Sequence, residues 1–517
     1  MVTAPHASAA QAGIALLQDG GNAADAIIAV AAVLSVVYPH MTGIGGDAFF
    51  LYYDAAGDRI HGYNGSGAAA AMATPERYAG LSSIPERGPL AALTVPGTVD
   101  AWFALAQRFG SRPMHEILAP AVALAREGAP AAPSFAAATQ RLRETLASDP
   151  AASELLVRDG PAHTGDVWKN ARLGDALEAI GREGRSWLYE GDGARSISAY
   201  AERIGSPLRG ADLAAHAGFF CDPIEGSFFG FESLTLPPNS QGLTLLIAQQ
   251  TFEAFTGGEQ DDPGGPAQVH AAVESMRLAI NDRDAVVGDP GGPADWKRAL
   301  SLDHAREHAR RMRPYETLGR PEPALDRGDT SYFACVDGAG NAVSFIQSLF
   351  HGFGSGVVVP DLGMLLNNRG TAFELGANGI RTLVPRRRPF HTLMPCMLAR
   401  AGKPVLVYGS MGGDAQPQIG LQISTHIVAN GLDPQAAIEQ PRWRYGKDAP
   451  HEEARLHVER RLGETCIAGL RARGHDVEVL GDWEESMGHA GAIWIDRERR
   501  VLTGGSDPRS DGLALGL

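Results

Sequence analysis

The sequence is poor in cysteine and aromatics and carries no excess of positive charge. Four cysteines occur in 517 residues: Cys221, Cys335, Cys396 and Cys466. They lie far apart, with no Cys-x-x-Cys pair and no histidine near them at metal-ligand spacing. That excludes a zinc finger and argues against a disulfide framework, so buried, reduced thiols are expected. Lys and Arg total 45 against 60 Asp and Glu, a formal charge of −15. Nucleic acid and anionic membranes demand a basic footprint, so neither is expected as a partner. No apolar run approaches the roughly 20 residues of a bilayer span. The longest, from Ala26 to Tyr38, is broken only by Ser35 and predicts a buried helix. Met1 is followed by Val2-Thr3-Ala4-Pro5-His6, not by the basic and then apolar leader of a secreted chain. A cytoplasmic location is therefore expected. Internal repeats and low-complexity tracts are also missing.

What is present points to an α/β enzyme. The 517 residues exceed the roughly 250–300 at which single cores stop growing, and length alone predicts two to four domains. Helices are predicted over Ala9–Gln18, with Ser8 as N-cap, and over Ala23–Val37, capped by Asn22 with Asp25 in the first turn. A glycine-rich loop, residues 41–47, feeds a strand over Ala48–Tyr53 that turns back as Arg59–Tyr63. Residues 100–217 read as mostly helical, with breaks at 128–130 and near Gly160. A strand near Glu232–Leu236 precedes helices over Leu243–Phe255, Val269–Asp282 and Arg306–Met312. The stretch 257–266 reads as an acidic Gly/Pro loop, 284–303 as loop-like and 314–329 as polar and mobile. After residue 330 strands dominate: 331–336, 342–348, 357–359, 364–366, 404–408, 491–495 and 501–504, with a helix over 418–430.

The most informative segment is Gly328-Asp329-Thr330-Ser331-Tyr332. Threonine at the head of an internal strand has no special chemistry while its nitrogen is in a peptide. If the Asp329–Thr330 bond breaks, Thr330 carries both a nucleophile, Oγ, and a base, the free α-amine. A threonine that merely caps a strand is the alternative reading.

The wider pattern decides between them. Gln18-Asp19-Gly20-Gly21-Asn22-Ala23-Ala24-Asp25-Ala26, Gly43-Ile44-Gly45-Gly46-Asp47 and Val95-Pro96-Gly97-Thr98-Val99 come first. Pro237-Pro238-Asn239-Ser240-Gln241-Gly242, Gly288-Asp289-Pro290 and Gly328-Asp329-Thr330 follow. Gly409-Ser410-Met411-Gly412-Gly413 and Ser506-Asp507-Pro508-Arg509-Ser510 complete the set. In number, order and spacing these resemble the γ-glutamyltranspeptidase superfamily of N-terminal-nucleophile hydrolases.

The resemblance implies a four-layer αββα sandwich with a helical region in its large subunit. It implies a proenzyme that cuts itself between Asp329 and Thr330. Residues 1–329 and 330–517 would form large and small subunits interwoven in one domain. It implies Thr330 as nucleophile, with its own α-amine as base. Gly412 and Gly413 would be the oxyanion-hole glycines, or else a plain strand–helix turn. Ser348 falls where the family places a second threonine beside the nucleophile, or else is an ordinary strand serine.

The sequence also departs from that family. Where γ-glutamyltranspeptidases hold a glutamyl α-ammonium with Asn, Gln and Asp, this chain has Phe350, Arg369 and Ala372. The carboxylate-binding arginine of the family falls near Ser66, and its paired serines fall on His391-Thr392. A buried ammonium without acceptors is severely penalised, so glutathione is expected to be a poor substrate. Arg369 suits a small anion instead, because a planar guanidinium holds a carboxylate bidentately. His351 and His391 could add donors, and Phe350 would shrink the pocket.

This set resembles the oxamate amidohydrolase branch. The resemblance is carried by residues 38–47, 87–95, 343–348, Asn368-Arg369-Gly370, Pro389-Phe390-His391-Thr392-Leu393 and Met487-Gly488-His489-Ala490-Gly491. The alternatives stay open: Arg369 as a structural ion-pair partner, His391 as a satisfied core histidine, Arg386-Arg387-Arg388 as a solvated loop, and His489 as packing. The expected activity is hydrolysis of a small carboxylate-bearing amide, oxamate first, with water as acceptor and no metal or cofactor. The partners implied are the two cleavage fragments themselves, with a dimer of such pairs left open. Rival readings are a γ-glutamyl hydrolase or transferase, a β-lactam side-chain acylase, and an uncleaved binding protein.

Overall fold

The computed structural model describes residues 1–258, 263–289, 295–318, 328–376, 379–447 and 452–517. Part of the acidic 257–266 loop, the centre of the 284–303 stretch with Pro290, and most of the 314–329 stretch lie outside the described residues.

Two antiparallel sheets form the centre. The first has seven strands in the order Leu513–Leu515, Val2–Ala4, Asp329–Val336, Ala342–Phe350, Asp47–Asp54, Arg59–Asn64, Phe219–Cys221. The second has six, in the order Val501–Ser506, Ala490–Asp496, Lys403–Ser410, Cys396–Arg400, Phe231–Thr235, Ile224–Phe228. Successive side chains on a strand point to opposite faces, and here both faces are apolar. Tyr332, Ala334 and Val336 meet Met397, Val407 and Ile493 between the sheets. Phe333 and Cys335 instead face the helices Ala7–Gln18 and Ala23–Val37. Leu398, Leu406 and Tyr408 of the second sheet face Gly242–Thr256, Pro266–Val286 and Gln416–Val428. The layers run α, β, β, α.

Each sheet takes strands from both sides of residue 330. The chain therefore does not divide into the sequential domains that its length suggests. Residues 98–214 form the expected helical region, with short strands Ala129–Pro130 and Val167–Trp168 paired at its breaks. Strands at Phe219–Cys221 and Cys396–Arg400 escaped the sequence reading because they are short or lack alternation, and Ile224–Phe228, which does alternate, because Gly226 and Ser227 give it little β-propensity. So did the small sheet of Trp443–Gly446, Arg455–Glu459 and Val477–Leu480. Part of the expected 284–303 loop is helical, at Trp296–Ala299 and from Leu302. The four cysteines are free, as expected, although Cys221 is only half-buried.

The first helix begins at Ala7, not Ala9, and its cap is His6 rather than Ser8. The imidazole Nδ1 accepts the Ser8 amide at 3.2 Å, so an aromatic ring does the work expected of a hydroxyl. The next helix starts with a capping box: Asn22 Oδ1 accepts from Ala24 and Asp25 amides, and Asp25 returns a bond to the Asn22 amide at 2.9 Å. Asp25 is fully buried and also accepts from the Ser111 amide and hydroxyl and the Arg112 amide. Removing the cap at Asn22 typically costs about 1 kcal/mol, whereas removing Asp25 strands several buried donors at roughly 1–3 kcal/mol for each left unpaired. Asp25→Ala should therefore lower the thermal denaturation midpoint clearly more than Asn22→Ala. Equal shifts would mean that Asp25 serves only the cap.

Candidate active site

The Asp329–Val336 and Ala342–Phe350 strands pair regularly until Gln347 meets Ser331; the next pair is Phe350 with Asp329. Ser348 and Leu349 thus oppose the single residue Thr330. Such a bulge re-aims side chains and bends the strand. Phe350 absorbs the irregularity at φ 83°, an unusual conformation for an aromatic residue.

The bulge brings three groups to the Ser348 hydroxyl. Thr330 Oγ1 donates to it at 3.2 Å and the Phe350 amide at 2.7 Å. Ser348 itself donates to the Asp329 carbonyl oxygen at 2.6 Å. A chain of hydroxyls therefore runs from the Thr330 side chain to the carbonyl one residue before it. Thr330 and Ser348 are both buried. Burial, and then the charge of Glu485, push the Asp329 carboxyl above the usual carboxylate range, against Arg141, His351 and Arg87.

Ser348 pairs across its other edge with Asp47. Gly46 makes that approach feasible, since a Cβ there would lie 2.2 Å from the Ser348 carbonyl oxygen. Asp47 Oδ1 accepts the Gly67 amide at 3.1 Å, and Oδ2 accepts His391 Nε2 at 3.0 Å. The other imidazole nitrogen of His391 accepts the Leu393 amide. Both ring nitrogens are thus engaged within the protein, and His391 has no N–H left for a substrate. Burial raises the Asp47 carboxyl to about 7, with Arg369 and Arg388 opposing. Burial drives His391 well below its usual value, and the same two arginines add to it.

Arg369 is buried, and its guanidinium lies 3.7 Å from the centre of the Phe350 ring. Its Nη1 donates to Thr392 Oγ1 at 3.1 Å. His351 stacks on the other neighbour of this wall, its ring 4.2 Å from that of Phe350, and its Nδ1 accepts from Asn368. Of the basic run 386–388, Arg386 is exposed as expected, but Arg388 turns inward and donates to the Ser66 and Ala217 carbonyls. A guanidinium from a distant loop therefore reaches Ser66.

The glycine loop closes the cluster. A Cβ on Gly328 would sit 3.1 Å from Gly413 Cα and 3.0 Å from the Phe350 ring. Gly412 and Gly413 have φ 135° and 54°. They lead into the Gln416–Val428 helix, whose N-terminus favours negative charge. Gln241 donates to the carbonyls of Gly413 at 2.8 Å and Thr392 at 2.9 Å. Arg283 fixes Gln241 at 3.1 Å and pairs with Asp414. The His489 carbonyl accepts the Met411 amide. A buried quartet of Arg442, Asp507, Arg509 and Glu459 secures that segment through Met487, Gly488 and Ala490. The structure thus brings together Thr330, Ser348, Phe350, Arg369, Thr392, His351 and Gly413. Asp47, Gln241, Arg283 and Arg388 belong with them, and the sequence singled out none of these four individually. Asp47 and Gln241 stood within quoted motifs, but their partners are hundreds of residues or a whole loop away.

A family model described as gamma-glutamyltranspeptidase matches residues 9–517. The chain belongs to the γ-glutamyltranspeptidase family. It is similar to the glutathione hydrolase-like YwrD proenzyme of Bacillus subtilis, at 41% identity over 100% of this chain and 98% of that one. It is similar to the oxamate amidohydrolase proenzyme of Klebsiella pneumoniae, at 38% identity over 100% and 98%. The solved cephalosporin acylase of Bacillus halodurans matches with a TM-score of 0.91 and 35% identity, over 99% of this chain and 94% of that one. The four-layer architecture is that of the N-terminal-nucleophile hydrolases, and the γ-glutamyltranspeptidase-type chain is a hydrolase. No helix among the described residues is long and apolar enough to cross a membrane.

The Asp47 carboxyl gives a pH signature. Its value is raised from 3.8 to about 7. The folded state therefore binds the proton more tightly, and that contribution is full below pH 3.8 and lost as pH rises through about 7. The stability of the wild type minus that of Asp47→Asn, measured by chemical denaturation, should fall from pH 4 to pH 7 and then level. A flat difference would contradict a strained buried carboxyl at Asp47.

Proposed function

We propose that this γ-glutamyltranspeptidase-family hydrolase is a self-processing amidohydrolase for a small carboxylate-bearing amide, with oxamate the best fit. In the first step Thr330 Oγ attacks the Asp329 carbonyl carbon. Its proton passes toward Ser348, whose own hydroxyl donates to the carbonyl oxygen as negative charge develops there. The peptide C–N bond breaks, the Thr330 nitrogen takes a proton, and water opens the resulting ester. Fragments 1–329 and 330–517 then remain interwoven through shared sheets.

In the mature form Thr330 Oγ attacks the substrate amide and the α-amine takes its proton. An unperturbed α-amine titrates at about 7.7–8, which suits a base near neutral pH. Amides of Gly412 and Gly413 would receive the oxyanion; losing one such donor typically costs roughly 10²–10³ in rate. The proton then goes to the leaving ammonia, and water hydrolyses the acyl ester. For oxamate the products are oxalate and ammonium.

The observation that carries the substrate class is Arg369. Its stacking on Phe350, with Thr392 as hydrogen-bond partner, fixes a planar fork in the wall beside Gly328 and Ser348. A glutamyl α-ammonium would meet a cation there in place of acceptors. His391 is assigned a positioning role, holding Asp47. The similarity to an oxamate amidohydrolase supports this reading. The slightly higher identity to a glutathione hydrolase-like protein supports the rival one, a γ-glutamyl hydrolase. Ammonia release from oxamate, set beside chromophore release from a γ-glutamyl anilide, separates them, with Thr330→Ala as blank. Turnover of oxamate alone is expected. Arg369→Gln should raise KM for oxamate by an order of magnitude or more, from the roughly 1.5–3 kcal/mol of a charged hydrogen bond. Cleavage of the anilide alone would return the chain to glutamyl chemistry.

A further inference from the structure

A second cluster of chemistry-bearing side chains lies apart from Thr330. The Leu302–Arg311 helix carries His304 and His308, four residues apart and so on one face. Their rings lie 4.2 Å apart. Both aim Nε2 at the same atom, Oδ2 of Asp282 on the Pro266–Val286 helix, each at 2.7 Å. We propose that His304, His308 and Asp282 form a binding site for a divalent transition ion, zinc best matching the donors.

Two imidazoles and one carboxylate are a recurrent ligand set for such ions, with remaining positions left to water. At metal–ligand distances of about 2.0–2.1 Å, tetrahedral donors stand roughly 3.3 Å apart. The donors here need to spread by about half an ångström. The side chains of His304 and Asp282 are 20% and 18% exposed, enough for that shift and for entry of an ion. A metal-bound imidazole gives its other N–H to a carboxylate, a backbone carbonyl or water. Glu307 Oε2 lies 3.9 Å from His304 Nδ1, beyond hydrogen-bond range, and a rotamer change of this exposed side chain would bring it within reach. The spacing His304-x-x-Glu307-His308 also follows the His-x-x-Glu-His pattern by which some helices present two zinc ligands.

A comparison within the same molecule sharpens the assignment. His270, Glu274 and His475 also converge, but they are fully engaged without an ion. His270 meets His475 at 2.8 Å and the Arg313 carbonyl at 2.7 Å. Glu274 is neutralised by Arg277 and takes the Leu318 amide. That buried set has a resident cation, whereas the Asp282 set has none among its described contacts and opens to solvent.

The test is zinc titration of the chelator-stripped full chain against a chromogenic competitor, with cobalt(II) absorption as a second readout. One tight equivalent is expected, with visible d–d bands on cobalt. Both should vanish in the His304→Ala/His308→Ala double variant and in Asp282→Asn, which keeps the side-chain size and so guards against misfolding. Glu307→Gln should weaken zinc binding by roughly tenfold. Wild type that binds no zinc, or that binds it no better than either variant, overturns the proposal. In that case the cluster is a metal-free clamp, with one carboxylate oxygen taking two imidazole N–H groups.

Discussion

The arrangement depends on one register slip. If the Thr330 strand paired regularly with Ala342–Phe350 to its end, Ser348 would sit in the ladder like any strand serine. The extra residue between Gln347 and Phe350 instead places its hydroxyl among Thr330 Oγ, the Asp329 carbonyl and the Phe350 amide. The same slip turns Phe350 to positive φ and sets its ring between Gly328 and Arg369. Thr330 Oγ, the Asp329 carbonyl and the Arg369 guanidinium, which we propose as nucleophile, scissile group and anion-binding side chain, are thus coupled through a single backbone irregularity. Neighbouring elements secure it: Gly46 permits the close pass of the Asp47 strand, and the Gln241–Arg283–Asp414 set fixes the facing glycine loop.

Much of the polar scaffold is charged and buried. Breaking such a pair leaves an unpaired charge and is strongly destabilising, although forming it adds little net stability. Its value here is geometric. Arg442 and Arg509 with Asp507 and Glu459 secure the 487–490 segment, which in turn fixes Met411 beside Gly412. Arg388 and Arg369 flank Asp47 and His391 and keep positive potential on this wall, as the anionic substrate we propose would require.

The sequence revealed the frame more readily than its long-range ties. Asn22 and Asp25 declared the second helix through local capping chemistry, and the Ala26–Tyr38 run declared its burial. Gly-Asp-Thr before a strand rich in aromatic and β-branched residues pointed to Thr330, and the resemblance to the γ-glutamyltranspeptidase family implied four layers. The His6 cap was missed because histidine is an uncommon cap. The two-to-four-domain expectation failed because each sheet draws strands from both halves of the chain. Asp47 with His391, and Arg388 with Ser66, join residues more than three hundred positions apart, and no local periodicity records such pairs. The family resemblance offered His391 as a substrate donor; only the structure gives both its nitrogens partners.

The central claim is that Thr330 becomes a chain terminus through chemistry at the Ser348 bulge. The direct measurement is intact-mass and N-terminal sequence analysis of purified protein over time, for the wild type and Ser348→Ala. The account predicts fragments 1–329 and 330–517, the latter beginning at Thr330, with cleavage markedly slower in Ser348→Ala. A wild-type chain that stays whole, or that is cut at another bond, would contradict it.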